Sequence, residues 1–80
     1  MRHVLGLHTV DEQGEALGLV MKAHGRGVDA ARAQDRCALT FEIGFIHAIL
    51  ELARLEGAGT LAQTAQRKRD DLDRRAMELT

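Results

Sequence analysis

The stretch from Asp29 to Glu56 constrains this 80-residue chain most, because it holds one internal breaker, Gly44, and no proline. Two apolar series run through it at helical spacing. One is Ala38, Phe41, Phe45, Ala48, Leu52 and Leu55; the other is Leu39, Ile43, Ile46, Leu50 and Ala53. At about 100° per residue they fall on nearly opposite sides of a helix. A helix that is apolar on two sides packs between two layers. Residues 29–56 are therefore predicted to form a central helix with Asp29 as its N-cap. Thr40, Gly44, His47, Glu51 and Arg54 make a polar ribbon between the two series.

The turn Gly57-Ala58-Gly59 follows, and then Thr60 with Gln63 three residues on, the signature of a capping box. This predicts a second helix over 60–79, antiparallel to the first. Its apolar stripe is narrow (Leu61, Ala65, Leu72, Ala76, Leu79) and is interrupted at Lys68. Asp70 with Arg74 and Asp71 with Arg75 have the spacing of acid-before-base pairs along a helix surface.

Residues 3–23 admit two readings. Thr9-Val10-Asp11-Glu12 resembles a capping box that would open a helix running to His24. Gly14 and Gly18 would lie inside that helix, at about 1 kcal/mol each relative to Ala. As a β-hairpin, His3–Val10 and Glu15–Ala23 are strands joined by Asp11-Glu12-Gln13-Gly14, a turn-forming sequence. Leu5, Leu7, Leu17, Leu19 and Met21 then share one face. The period-2 pattern accounts for five large apolar residues and is the preferred reading. The expected fold is α+β in a single domain over 1–80: an N-terminal β-hairpin, a long central helix and a shorter antiparallel C-terminal helix. The alternative is an all-α three-helix bundle.

Eighty residues bury only about 60% of their unfolded surface, a thin core that favours a partner subunit. Eleven basic and twelve acidic residues leave a net charge of −1, which excludes a domain that holds nucleic acid by overall charge. Two phenylalanines are the only aromatic residues, so stacking platforms for bases are excluded too. The single cysteine, Cys37, has no internal disulfide partner and reads as a buried, inert thiol. Met1-Arg2-His3 does not lead into a secretory apolar segment. The most apolar stretch, residues 37–55, carries Glu42, His47, Glu51 and Arg54, so no membrane span is expected. The expectation is a cytoplasmic protein.

Four histidines raise the question of a metal. His3 and His8 point to opposite faces of a strand, and only His47 and Glu51 share a helical face, at i and i+4. Structural zinc needs four clustered ligands and a di-iron bundle needs Glu-x-x-His, and neither pattern is present. Glu42 and Glu51 lie on different faces of one helix and cannot work as an acid–base pair. Gly25-Arg26-Gly27 lacks the lysine and the spacing of a phosphate loop. No catalytic, cofactor-binding or metal-binding residues are assigned, and the chain is read as a non-enzyme.

Two surfaces remain. Phe41, Phe45, Leu52, Leu55, His47, Glu51 and Arg54 are the candidate protein interface. Arg67, Lys68, Arg69, Arg74 and Arg75 are the candidate contact for nucleic acid or an acidic partner. Asp70, Asp71, Asp73 and Glu78 interleave them, so residues 58–80 sum to +1 (five basic minus four acidic), and nucleic acid is the weaker reading. The expected function is stoichiometric association with a protein partner. Inhibitors of host complexes encoded by phages or mobile elements, such as anti-CRISPR proteins, act in this way. The competing class is a small DNA- or RNA-associated regulator using the basic flank. The second apolar series of the central helix also predicts self-association, as a homodimer.

Overall fold

Thr9 opens the first helix with a reciprocal cap: its hydroxyl accepts the Glu12 N–H at 3.0 Å, and the Glu12 carboxylate accepts the Thr9 N–H at 3.1 Å. Asp11 and Glu12 place negative charge at the positive end of the helix dipole. The computed structural model describes residues 9–79, and in it three helices follow in order: α1 (Val10–Arg32), α2 (Arg36–Leu55) and α3 (Gly59–Met77). The β-hairpin expected over 3–23 is therefore overturned. Residues 10–23 belong to one continuous helix, and no strand occurs among the described residues. The first strand's residues 3–8 lie outside the described residues. The architecture is the all-helical bundle.

The reason lies in which residues of α1 are buried. They are Ala16, Val20, Ala23, Gly27 and Ala30, spaced 4-3-4-3, a heptad seam made almost wholly of small side chains. Leu17, Leu19 and Met21, which carried the period-2 pattern, are exposed on its flanks. The core is completed by large residues of the other two helices: Leu39, Ile46 and Leu50 from α2 and Leu72 from α3 have no exposed surface. At Gly27 the approach is closest. A Cβ built there would sit 2.5 Å from Leu72 Cδ1 and 2.8 Å from Cδ2, so only glycine fits beside that leucine as it stands.

Both helix joints use the same construction. At the end of α1, Asp35 N–H donates to Ala30 C=O (2.8 Å) and Gln34 N–H to Ala31 C=O (3.0 Å). At the end of α2, Ala58 N–H donates to Ala53 C=O (2.8 Å) and Gly57 N–H to Arg54 C=O (3.2 Å). These paired bonds define the Schellman motif, whose C′ residue takes a left-handed backbone: Gln34 at φ 54° and Gly57 at φ 71°. The next residue in each joint, Asp35 or Ala58, is already the N-cap of the following helix. Asp35 caps α2 by accepting the Ala38 N–H at 3.0 Å. The expected central helix over 29–56 is thus divided: Asp29 lies inside α1, and α2 starts at Arg36. The Thr60–Gln63 box is not used, since Ala58 caps α3 without a side-chain bond.

Arg26 of α1 meets Glu42 of α2, and Arg36 at the start of α2 reaches Leu79 beyond α3. His24 of α1 meets Asp71 of α3. These pairings make α2 antiparallel to its neighbours and α1 parallel to α3. All three pairs of helices pack together.

Of the two apolar series on α2, the one that includes Leu39, Ile46, Leu50 and Ala53 is buried, together with Glu42 and Ile49. None of Ala38, Phe41, Phe45, Ala48, Leu52 and Leu55 is fully buried; Phe41 is 66% and Leu55 79% exposed. The expected burial of the Cys37 thiol is corrected as well, because that residue is exposed at the start of α2.

Two contrasts test this packing by urea unfolding. Gly18→Ala, which meets open space, should stabilise the chain by about 0.5–1 kcal/mol through helix propensity. Gly27→Ala should destabilise it by about 1–2 kcal/mol, overpacking against Leu72 outweighing the same gain. Leu50→Ala should cost about 2–5 kcal/mol, whereas Phe41→Ala should stay within about 0.5 kcal/mol of the parent.

Candidate functional site

The seven candidate interface residues separate onto two faces. Phe41 and Leu55 fall, with Cys37, Gly44 and Ala48, on the exposed outer side of α2, and Phe45 and Leu52 border it, half-buried against the core; together they make an uncharged stripe that runs the length of the helix. The Arg26–Glu42 pair marks which neighbour this stripe borders, since it ties the same flank of α2 to α1. Leu19, two helical turns before Arg26 and on the same side of α1, is 48% exposed and extends the apolar surface. The stripe covers 19 residues from Cys37 to Leu55 and is about 27 Å long.

His47, Glu51 and Arg54 lie instead along the seam between α2 and α3. Arg54 donates to Glu51 Oε2 at 2.9 Å and to Gln66 Oε1 of α3 at 3.1 Å. Arg69 Nη1 donates to His47 Nδ1 at 3.0 Å. Arginine can only donate, so Nδ1 of His47 accepts and the ring proton sits on Nε2, 3.9 Å from Glu51 Oε2. The ribbon is a polar latch between two helices.

The five candidate cations also separate. Arg69 turns toward α2, with Nη2 on Asp70 at 3.0 Å and a buried Nε 3.6 Å from Asp73, beyond hydrogen-bond reach. Arg74 pairs with Asp71 and lies 3.9 Å from Glu78. Arg67, Lys68 and Arg75 line a groove of about 440 Å³ between α1 and α3, together with His24, Thr64 and Asp71.

Asp71 organises that groove. Its Oδ2 accepts from Arg75 Nε at 2.9 Å and from His24 Nε2 at 2.8 Å, and its Oδ1 accepts from Arg74. The Arg75 bond foremost, then that of His24, then that of Arg74, hold its carboxyl well below the usual carboxylate range, against the opposing effect of partial burial. On the far side of α1, Glu42 is 7% exposed and receives a two-point bond from Arg26, Nε to Oε2 at 2.9 Å and Nη2 to Oε1 at 3.1 Å. That geometry satisfies a carboxylate set among apolar neighbours.

His24, Thr64 and the hub role of Asp71 were not singled out from the sequence. His24 and Asp71 are 47 positions apart, and no local pattern joins them. Glu42 carried one signal: it falls within the apolar arc of α2, where an acid needs a partner. Among the described residues no group of three or more His, Cys, Asp or Glu side chains comes together to hold a metal. None of the described helices is long and apolar enough to cross a membrane.

No protein-family model, curated protein or solved structure matches the chain significantly. The functional reading therefore rests on the surfaces themselves.

The hub around Asp71 makes a pH-dependent prediction. A carboxyl whose folded-state pKa is depressed contributes stability above its unfolded value, about 3.9, and loses it as the pH falls below that. Asp71→Asn should cost about 1–2 kcal/mol at neutral pH. The gap between parent and variant in thermal unfolding should narrow steadily from about pH 5 downward. A gap independent of pH would mean that the ionised carboxylate is not what stabilises the groove.

Proposed function

We propose that the chain is a non-enzymatic protein-binding module that acts by stoichiometric association, with the outer face of α2 as its docking surface. The observation that supports this is the uncharged stripe from Cys37 to Leu55, in which Phe41 and Leu55 are exposed while Phe45 and Leu52 are half-buried against the core. Exposed apolar residues scattered singly need no explanation, whereas a continuous apolar patch marks an interaction site. Gly44 and Ala48, small and central, let another backbone come close, and Phe41, Leu52 and Leu55 flank them as anchors. The chemistry that fits is an amphipathic helix laying its apolar side along α2, with Leu19 as a side wall.

A second copy of the chain is the second reading, favoured by the order of side-chain sizes. Phe45 and Ala48, and Phe41 and Leu52, are each equidistant from a point between residues 46 and 47. An antiparallel two-fold pairing about that point would set Phe45 against the partner's Ala48, large against small.

A photo-reactive amino acid placed at position 41 or 55 tests both, with position 63 on exposed α3 surface as control. The expected result is one dominant adduct from positions 41 and 55, lost on Phe45→Glu and absent from position 63. An adduct of twice the chain mass identifies self-association, and one of larger defined mass a distinct protein at one-to-one stoichiometry. Equal labelling from all three positions, or none from 41 and 55, would refute the docking surface.

A further inference from the structure

A different surface carries an inference independent of the α2 face. We propose that the groove between α1 and α3 is an oxyanion-binding site, suited to the phosphate group of a small phosphate ester. Thr64, Lys68, Asp71 and Arg75 are spaced i, i+4, i+7 and i+11, so they form one stripe along α3, with Arg67 at its edge and His24 closing it from α1. Three cations against one carboxylate leave the groove at +2.

What distinguishes this cluster from an ion-paired helix surface is where the counter-charges go. Asp70 and Asp73 are engaged by Arg69, and Glu78 faces Arg74. Asp71 already accepts from His24, Arg74 and Arg75. Every acidic side chain of α3 and its C-cap thus has a cation other than Arg67 and Lys68 beside it. Arg67 and Lys68 stand in a concavity without an anionic partner among the described residues. The Asp71 carboxylate does not repel an incoming anion strongly, since its three donors offset its charge. Its role is to hold Arg75 and His24 at the groove wall.

The groove's chemistry selects the ligand. Guanidinium groups match the oxygens of a phosphate in a planar fork, an ammonium adds a point charge, and the Thr64 hydroxyl can donate. A volume of about 440 Å³ falls within the range of small-molecule sites and exceeds a bare phosphate, leaving room for an esterified group. The stripe is only about 16 Å long and its lining holds no Phe, Tyr or Trp, with the one ring present, His24, bonded to Asp71. Both features disfavour a nucleic-acid strand, which needs an extended positive track and stacking surfaces.

The test is an amide and arginine side-chain NMR titration with inorganic phosphate, compared with chloride at equal ionic strength. Saturable shifts are expected at Thr64, Lys68, Asp71 and Arg75 with phosphate and not with chloride. The double variant R67A/K68A, which keeps good helix formers, should weaken binding by about tenfold or more. Arg32→Ala, on the remote end of α1, should leave it unchanged. Equal responses to the two salts, or a double variant that titrates like the parent, would overturn the proposal. So would binding confined to a twelve-nucleotide single strand with a steep salt dependence, which would make the groove part of a nucleic-acid surface.

Discussion

The close approach of α1 to its neighbours is the constraint on which the bundle depends. Leu72 occupies the space that any side chain at position 27 would claim, and the rest of the α1 seam is nearly as small. Such a seam removes little apolar area from water by itself. It works by bringing backbone and large side chains of α2 and α3 into dense contact, where many weak dispersion contacts add up. Alanine and glycine also lose no side-chain rotamer freedom when they are buried. With the inner face of α1 filled by small residues, its leucines and methionine have nowhere to go but outward.

This explains which parts of the fold were legible in the sequence. Most of α2 and α3, and the antiparallel turn between them, followed from apolar spacing and from Gly57. The first helix was not legible by the same rule, because large apolar residues were weighted as core markers and here they are the surface. Leu17, Leu19 and Met21 alternate like a strand, yet on a helix Leu17 and Met21 fall on one side and Leu19 on the other. The decisive local signal was the Thr9–Glu12 cap, which outranked a persuasive period. The break at residues 33–35 escaped for a related reason. A left-handed C′ position is normally announced by glycine or asparagine, and Gln34 fills it instead.

The surfaces show the same division between local pattern and tertiary placement. Composition picked out five cations on α3, and nothing local could sort them. Their fates depend on His24 and His47, contributed by the other helices, and on Asp71 in particular. Likewise the two apolar series of α2 are nearly equivalent as patterns. Only the presence of α1 and α3 on one side turns Leu39, Ile46 and Leu50 into core and leaves Phe41 and Leu55 in contact with solvent. Charge follows the same geometry: Glu42, on the core side, has a two-point guanidinium partner, whereas the outer stripe carries no charge at all.

The two joints carry a consequence for how the chain can change. In each, the residue that closes the Schellman bond to the preceding helix is also the N-cap of the next, so no residue is spare. The rotational phase of one helix is thereby locked to that of its neighbour. One residue inserted at Gln34 or Gly57 would advance the following helix by about 100°, turning its buried series toward water. The joints act as indexing gears rather than as loops.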